Sequence, residues 1–129
     1  MMQTGMTGAG RKKVLLVEDD VGLAQLYRGV LRIAGFDAAH VIDGMSALRL
    51  LEAEVPDLIV VDMNLPVLNG DQLLREMATH ADLRHIPAIV VTGADIRPGM
   101  AVEQAKQILQ KPCSPDRLVS AVERYVGAA

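Results

Sequence analysis

The sequence predicts an α/β fold: a five-stranded parallel sheet, doubly wound, with helices on both faces. Three observations carry this. The apolar runs Val14-Leu15-Leu16-Val17, Leu58-Ile59-Val60-Val61, Ile89-Val90-Val91 and Ile108-Leu109 have the continuous character of strands buried on both faces. Segments with apolar residues at helical spacing separate them. Each run ends in polar residues: Glu18-Asp19-Asp20, Asp62, Thr92, and Gln110-Lys111. Alternating strands and helices imply right-handed crossovers. Parallel strands then present their carboxyl ends on one edge, where open α/β sheets bind ligands.

The elements follow in order. A strand over 13–18 leads into a helix over 20–34, whose stripe is Leu23, Leu26, Tyr27, Val30, Leu31 and Ala34. Gly35 stops that helix. A second strand spans 36–42, and a second helix runs from Met45 to Glu54, ahead of Pro56. The third strand, 57–62, opens onto Asn64-Leu65-Pro66-Val67-Leu68-Asn69-Gly70, a loop by its turn residues. A third helix over 71–79 and a fourth strand over 86–92 come next. The fourth helix is short, near 98–106, and Arg97-Pro98-Gly99 favours a loop at its start. The fifth strand spans 107–110. The fifth helix starts at Ser114, a capping residue ahead of Pro115, and buries Leu118, Val119, Val122 and Val126.

Composition bounds the function. With 129 residues, 50% apolar and 22% charged, the chain suits one globular domain, read as a flexible leader at 1–10 and a domain at 11–129. A net charge of -3, with Arg11-Lys12-Lys13 as the one basic cluster, gives no nucleic-acid footprint. No stretch is long and apolar enough for a membrane span, and the first ten residues lack the pattern of a secretory signal. The single cysteine, Cys113, has no internal partner and reads as a packed, inert thiol; the expected location is the cytoplasm. The histidines, His40, His80 and His85, show no ligand spacing and are expected at the surface, away from the acidic residues.

The chemistry lies at the strand ends. Glu18, Asp19 and Asp62 would meet within a few ångströms, and such a cluster is unfavourable without a cation. Magnesium prefers oxygen ligands and removes that cost. The bland reading of Glu18-Asp19-Asp20 is a helix cap, with Asp19 or Asp20 at a helix N-terminus. Asp62, at the end of another strand, tips the balance to metal. A carboxylate beside magnesium can act as a nucleophile toward a phosphoryl group. That transfer needs charge neutralisation more than acid-base chemistry. The Thr92 hydroxyl and the Lys111 ammonium suit it, and Gly93 leaves the crevice open.

Val17-Glu18-Asp19-Asp20, Val61-Asp62-Met63-Asn64-Leu65-Pro66, Asn69-Gly70, Val91-Thr92-Gly93 and Lys111-Pro112 together resemble the motifs of a response regulator receiver domain, of the stand-alone type, over residues 12–127. The resemblance implies a flavodoxin-like sheet in order 2-1-3-4-5. It implies Asp62 as phospho-acceptor, Asp19 as direct magnesium ligand, Glu18 acting through water, and a backbone carbonyl of Asn64 on the metal. Thr92 would bond the phosphoryl group, and Lys111 would pair with it. The implied donor is a histidine kinase or phosphotransfer protein. The implied output is a downstream protein reached through the face of helix 4, strand 5 and helix 5. A homodimer is left open. The domain would be no enzyme beyond its own phosphorylation and slow autodephosphorylation.

Three features depart from that pattern. Ile108 stands where the family carries Tyr or Phe and is stiff at χ1. The interval from Thr92 to Lys111 is short, so helix 4 is reduced. Cys113 replaces the frequent Phe. They leave room for a second reading, a phosphate-independent binding module of the same fold. An aspartyl phosphatase would want a second acid at Asn64 and a cap domain. A flavin phosphate would be repelled by Glu18-Asp19-Asp20.

Overall fold

The computed structural model describes residues 10–128; the expected leader, apart from Gly10, lies outside them. In chain order come β1 (Lys13–Val17), α1 (Val21–Ile33), β2 (Asp37–Val41), α2 (Gly44–Ala53), β3 (Leu58–Val61), α3 (Gly70–Thr79), β4 (Ala88–Thr92), a 3-10 turn (Ala101–Gln104), β5 (Gln107–Gln110) and α4 (Pro115–Val126). The strands pair in parallel in the order β2-β1-β3-β4-β5, as the resemblance implies.

Side chains alternate across a strand, so the central strands β1, β3 and β4 feed two cores. β5 does not: its run Ile108-Leu109, expected to be buried on both faces, buries only Leu109, because β5 is the edge strand. Leu15, Val17, Ile59 and Val61 pack toward α2 and α3 with Ala47, Leu51, Leu73 and Met77. Val14, Leu16, Leu58, Val60 and Leu109 pack toward α1 and α4 with Tyr27, Leu31, Leu118 and Val122. Each large apolar side chain fully buried this way contributes roughly 1.5–3 kcal/mol. Both faces of β1 and β3 are therefore committed to the core. The acids after them, Glu18 and Asp62, stand at the carboxyl edge of the sheet.

The helices start where short polar residues can take up free backbone N–H groups. Asp20 accepts from Leu23 N–H at 3.1 Å. Asp43 accepts from Ser46 N–H at 2.7 Å. Asn69 and Gln72 form a reciprocal capping box at α3. Ser114 caps α4 ahead of Pro115, as the sequence predicts.

The predicted fourth helix over 98–106 does not form. Four residues of 3-10 turn replace it, and α4 is the fifth predicted helix. The cause is local: Pro98 has no backbone N–H to give, and Gly99 sits at φ +87°, outside helical space. The segment is pinned instead by α3. Asp71 accepts from Ala101 N–H at 2.5 Å and pairs with Arg75 Nε at 2.9 Å, while Arg75 also donates to the Gly99 carbonyl. Ala101 and Val102 are buried against the α2–α3 core.

Hydrogen bonds from Ala101 N–H and Arg75 hold the Asp71 carboxyl below the usual carboxylate range. A depressed folded-state pKa stabilises above the unfolded value and loses that contribution as pH falls through the folded value. We expect Asp71→Ala to cost about 1–2 kcal/mol at neutral pH and to speed amide exchange over 97–104. The gap to wild type should close as pH drops below about 4, read by denaturant titration across pH. A second expectation concerns Gly70. A Cβ there would lie 2.5 Å from the Asp62 carbonyl oxygen and 2.6 Å from Met63 Cα. Gly70→Ala should therefore destabilise by roughly 1–3 kcal/mol in the same titration, since rigid backbone has to move.

Candidate functional site

Strand register builds the site. Val17 lies opposite Val61 in the β1–β3 pair, so Glu18 and Asp62 emerge side by side. Asp62 N–H donates to the Val17 carbonyl at 3.1 Å, and Glu18 N–H donates to the Val41 carbonyl at 3.1 Å. Both side chains are buried, each 5% exposed, whereas Asp19 is exposed. One carboxylate oxygen from each of Glu18, Asp19 and Asp62 lies within 4.8 Å of the others. The Asp20 side chain caps α1, so the capping reading holds for it and not for Asp19.

Four donors converge on this cluster. The Lys111 ammonium lies 2.6 Å from Asp62 Oδ2 and 2.7 Å from Glu18 Oε1. Thr92 Oγ1, fully buried, donates to Asp62 Oδ1 at 2.9 Å, and Asn64 N–H donates to the same oxygen at 3.0 Å. Asp20 N–H donates to Glu18 Oε2 at 3.1 Å. Glu18, Asp19, Asp20, Asp62 and Lys111 line an open cleft of about 410 Å³ with Asn64, Gly93 and Ala94, while Thr92 is fully buried. All six residues singled out from the sequence, Glu18, Asp19, Asp62, Asn64, Thr92 and Lys111, thus meet at one edge of the sheet.

The charges do not balance. Burial pushes Glu18 above the usual carboxylate range, although Lys111 and the Asp20 N–H pull the other way. Burial also disfavours the Lys111 cation, yet its hydrogen bonds to Asp62 and Glu18 outweigh this and hold its pKa above the ordinary value. By count, one ammonium faces the three carboxylates of Glu18, Asp19 and Asp62, so the cluster keeps an excess of negative charge. Like charges about 4 Å apart repel by about 4 kcal/mol at an effective dielectric of 20. The donor set is all oxygen and over-supplied with negative charge, which fits a hard divalent cation.

Some contacts escape the sequence reading. His40, expected away from the acids, is half-buried and its Nε2 lies 2.7 Å from the Glu18 carbonyl oxygen. The β1–β2 register brings it there, since Leu16 faces His40 across the pair. His80 and His85 are at the surface as expected. Gly70 packs against the backbone of Asp62, a closeness that its place in a turn motif hints at but does not specify. Val67, at φ +66°, is a β-branched residue in left-handed conformation on the same loop and is 79% exposed. Cys113 is buried, and burial raises its thiol pKa, in keeping with the inert reading.

Comparison with known proteins agrees with this geometry. The model of the response regulator receiver domain matches residues 14–123. The polar-differentiation response regulator DivK of Brucella ovis is 30% identical over 123 residues, covering 92% of this chain and 98% of that relative. The signal receiver domain of a signal transduction histidine kinase from Syntrophus aciditrophicus superposes with a TM-score of 0.80 at 32% identity, covering 89% of each chain. The receiver domain of the sensor histidine kinase PA1611 from Pseudomonas aeruginosa superposes with a TM-score of 0.82 at 28% identity, over 92% of this chain and 100% of that one. It holds a magnesium ion coordinated in its active site cleft. Matched from its first strand to its last helix, this chain belongs to the response regulator receiver domain family.

Proposed function

We propose that the chain is a phosphoryl-accepting switch: Asp62 takes a phosphoryl group from a histidine kinase or phosphotransfer protein and the altered surface controls a downstream protein. One observation carries the reading. The Asp62 carboxylate is held at the mouth of an open acidic cleft by a hydroxyl, an ammonium and a backbone N–H. These are the groups a phosphoryl acceptor needs around it.

A lone pair on an Asp62 oxygen attacks the phosphorus of a donor phosphohistidine. A P–O bond forms as the P–N bond breaks, and the electron pair returns to the imidazole, which takes up a proton. Glu18, Asp19 and Asp62, with the Asn64 backbone, would hold magnesium, which when bound supplies neutralisation of phosphoryl charge. Lys111, already on Asp62, is in reach of a phosphoryl oxygen attached there. Thr92 can transfer its hydrogen bond from Asp62 to the same group. Ala94 N–H donates to Thr92 Oγ1 at 3.1 Å, so displacement of the threonine pulls on the segment after it. That segment ends in the 3-10 turn tied to Asp71. The output face is accordingly α3, the 3-10 turn, β5 and α4, in place of one built on a full fourth helix. Turnover of a separate substrate is no part of this role: the chain catalyses its own phosphorylation and slow dephosphorylation, in the cytoplasm where kinase donors are made.

Incubation with magnesium and phosphoramidate should add one phosphoryl group by intact mass, and Asp62→Asn should add none. Phosphorylation that survives Asp62→Asn would reject Asp62 as acceptor; no magnesium-dependent change in either protein would favour the phosphate-independent module. Relief of repulsion should make Asp19→Asn more stable than wild type by about 1 kcal/mol without divalent cation. Magnesium at about ten times its dissociation constant should stabilise wild type by roughly 1.4 kcal/mol and the variant by much less, measured as shifts in thermal midpoint.

A further inference from the structure

We infer that the outer edge of β5 and the groove beside it dock an extended acidic segment of a partner protein, laid on as a sixth strand. This deepens the proposed function by giving the controlled partner a chemistry.

β5 is an edge strand, paired only with β4. Every second residue of an edge strand directs its backbone N–H and C=O away from the sheet. Proteins usually guard such edges with charge or proline. Gln107-Ile108-Leu109-Gln110 contains neither, and the short 3-10 turn leaves Ile108 40% exposed. On the opposite face of the strand, a groove of about 430 Å³ is lined by Gln107, Asp116, Arg117, Ser120, Ala121 and Arg124. Gln107 Oε1 is buried there with no hydrogen-bond donor.

Charge selects the occupant. Arg117 and Arg124 are seven residues apart on α4, so they share a face and stand about 10.5 Å apart along its axis. Neither belongs to an ion pair among the described residues. Lys106, exposed, precedes the strand. Asp116 is the one acid lining the groove, and it lies in the first turn of α4, where the helix dipole already favours it. This local excess of cations sits on a chain whose net charge is -3. An added strand alternates its side chains, presenting acids toward the arginines and apolar groups toward Ile108. A second copy of this chain is the poorer occupant, because its own β5 offers the arginines no carboxylate.

The test titrates the 15N-labelled full chain, without phosphodonor, with the capped hexapeptide Glu-Val-Glu-Thr-Glu-Val, so that a failure of phosphorylation leaves it readable. Saturable shifts should centre on 107–110 and 117–124, with slowed amide exchange in 107–110. Arg117→Glu with Arg124→Glu should weaken binding about tenfold or more, and Ile108→Ser should weaken it by removing the apolar contact, while thermal midpoints show both variants folded. High salt should weaken binding, and a hexapeptide with lysines in place of glutamates should not bind. Shifts centred elsewhere, equal binding of the lysine peptide, undiminished binding by the charge-reversed variant, or a β5-mediated dimer that excludes the peptide would each overturn the inference.

Discussion

A single ammonium set among three carboxylates governs this structure. The β1–β3 register fixes Glu18 and Asp62 side by side, and neither can withdraw, because the residues before them are buried on both faces of the sheet. Lys111 reaches both from beyond β5, across the width of β4. Its pull on Glu18 is opposed by the burial of both groups. In the proposed role such an arrangement is poised: a bound cation would offset its excess negative charge, and a phosphoryl group on Asp62 would offer Lys111 and Thr92 new partners. The apolar sheet makes that rearrangement possible by being too rigid to share it.

Rearrangement must then appear in what is not rigid. Thr92 ends β4, and the chain beyond it, through Gly93 and Ala94, is irregular until the 3-10 turn. A full helix would transmit motion as a rod. Here the segment is held by individual bonds from Asp71 and Arg75. Those bonds originate in the first two turns of α3, whose start, Gly70, packs on the Asp62 backbone. Asp62 therefore connects to the segment by two routes, one through Thr92 and one through α3, and both are short.

Much of this was legible in the sequence because strand ends are written in residue type. Apolar runs stopped by Glu18, Asp62 and Thr92 specify a sheet and an edge together, since a buried parallel strand tolerates nothing polar before its end; Lys111 instead follows the edge strand β5, of which only Leu109 is buried. Caps were legible for the same reason: Ser114 ahead of Pro115 has a local meaning. The reduced fourth helix was visible in Pro98 and Gly99, but its replacement was not. Asp71 and Arg75 read as an ordinary i,i+4 surface pair on a helix, and only the tertiary fold shows that they also bind the Ala101 and Gly99 backbones. His40 was misplaced because its neighbour, the Glu18 carbonyl, is set by β1–β2 register, which periodicity does not encode.

Ile108 brings these points together. An aromatic residue at its place would be a bulky side chain able to move with the threonine. Ile108 instead points outward from β5 and is 40% exposed, while Thr92 is fully buried and already bonded to Asp62. No side chain at that position has to vacate space for the threonine. Under the proposed function, the change available to this chain would be a transfer of the Thr92 hydrogen bond beneath the open cleft, felt through Ala94 N–H by the following backbone. A switch of that kind would work by altering how tightly the 93–106 segment and β5 are held, and the proposed partner surface on β5 would stay open in both states.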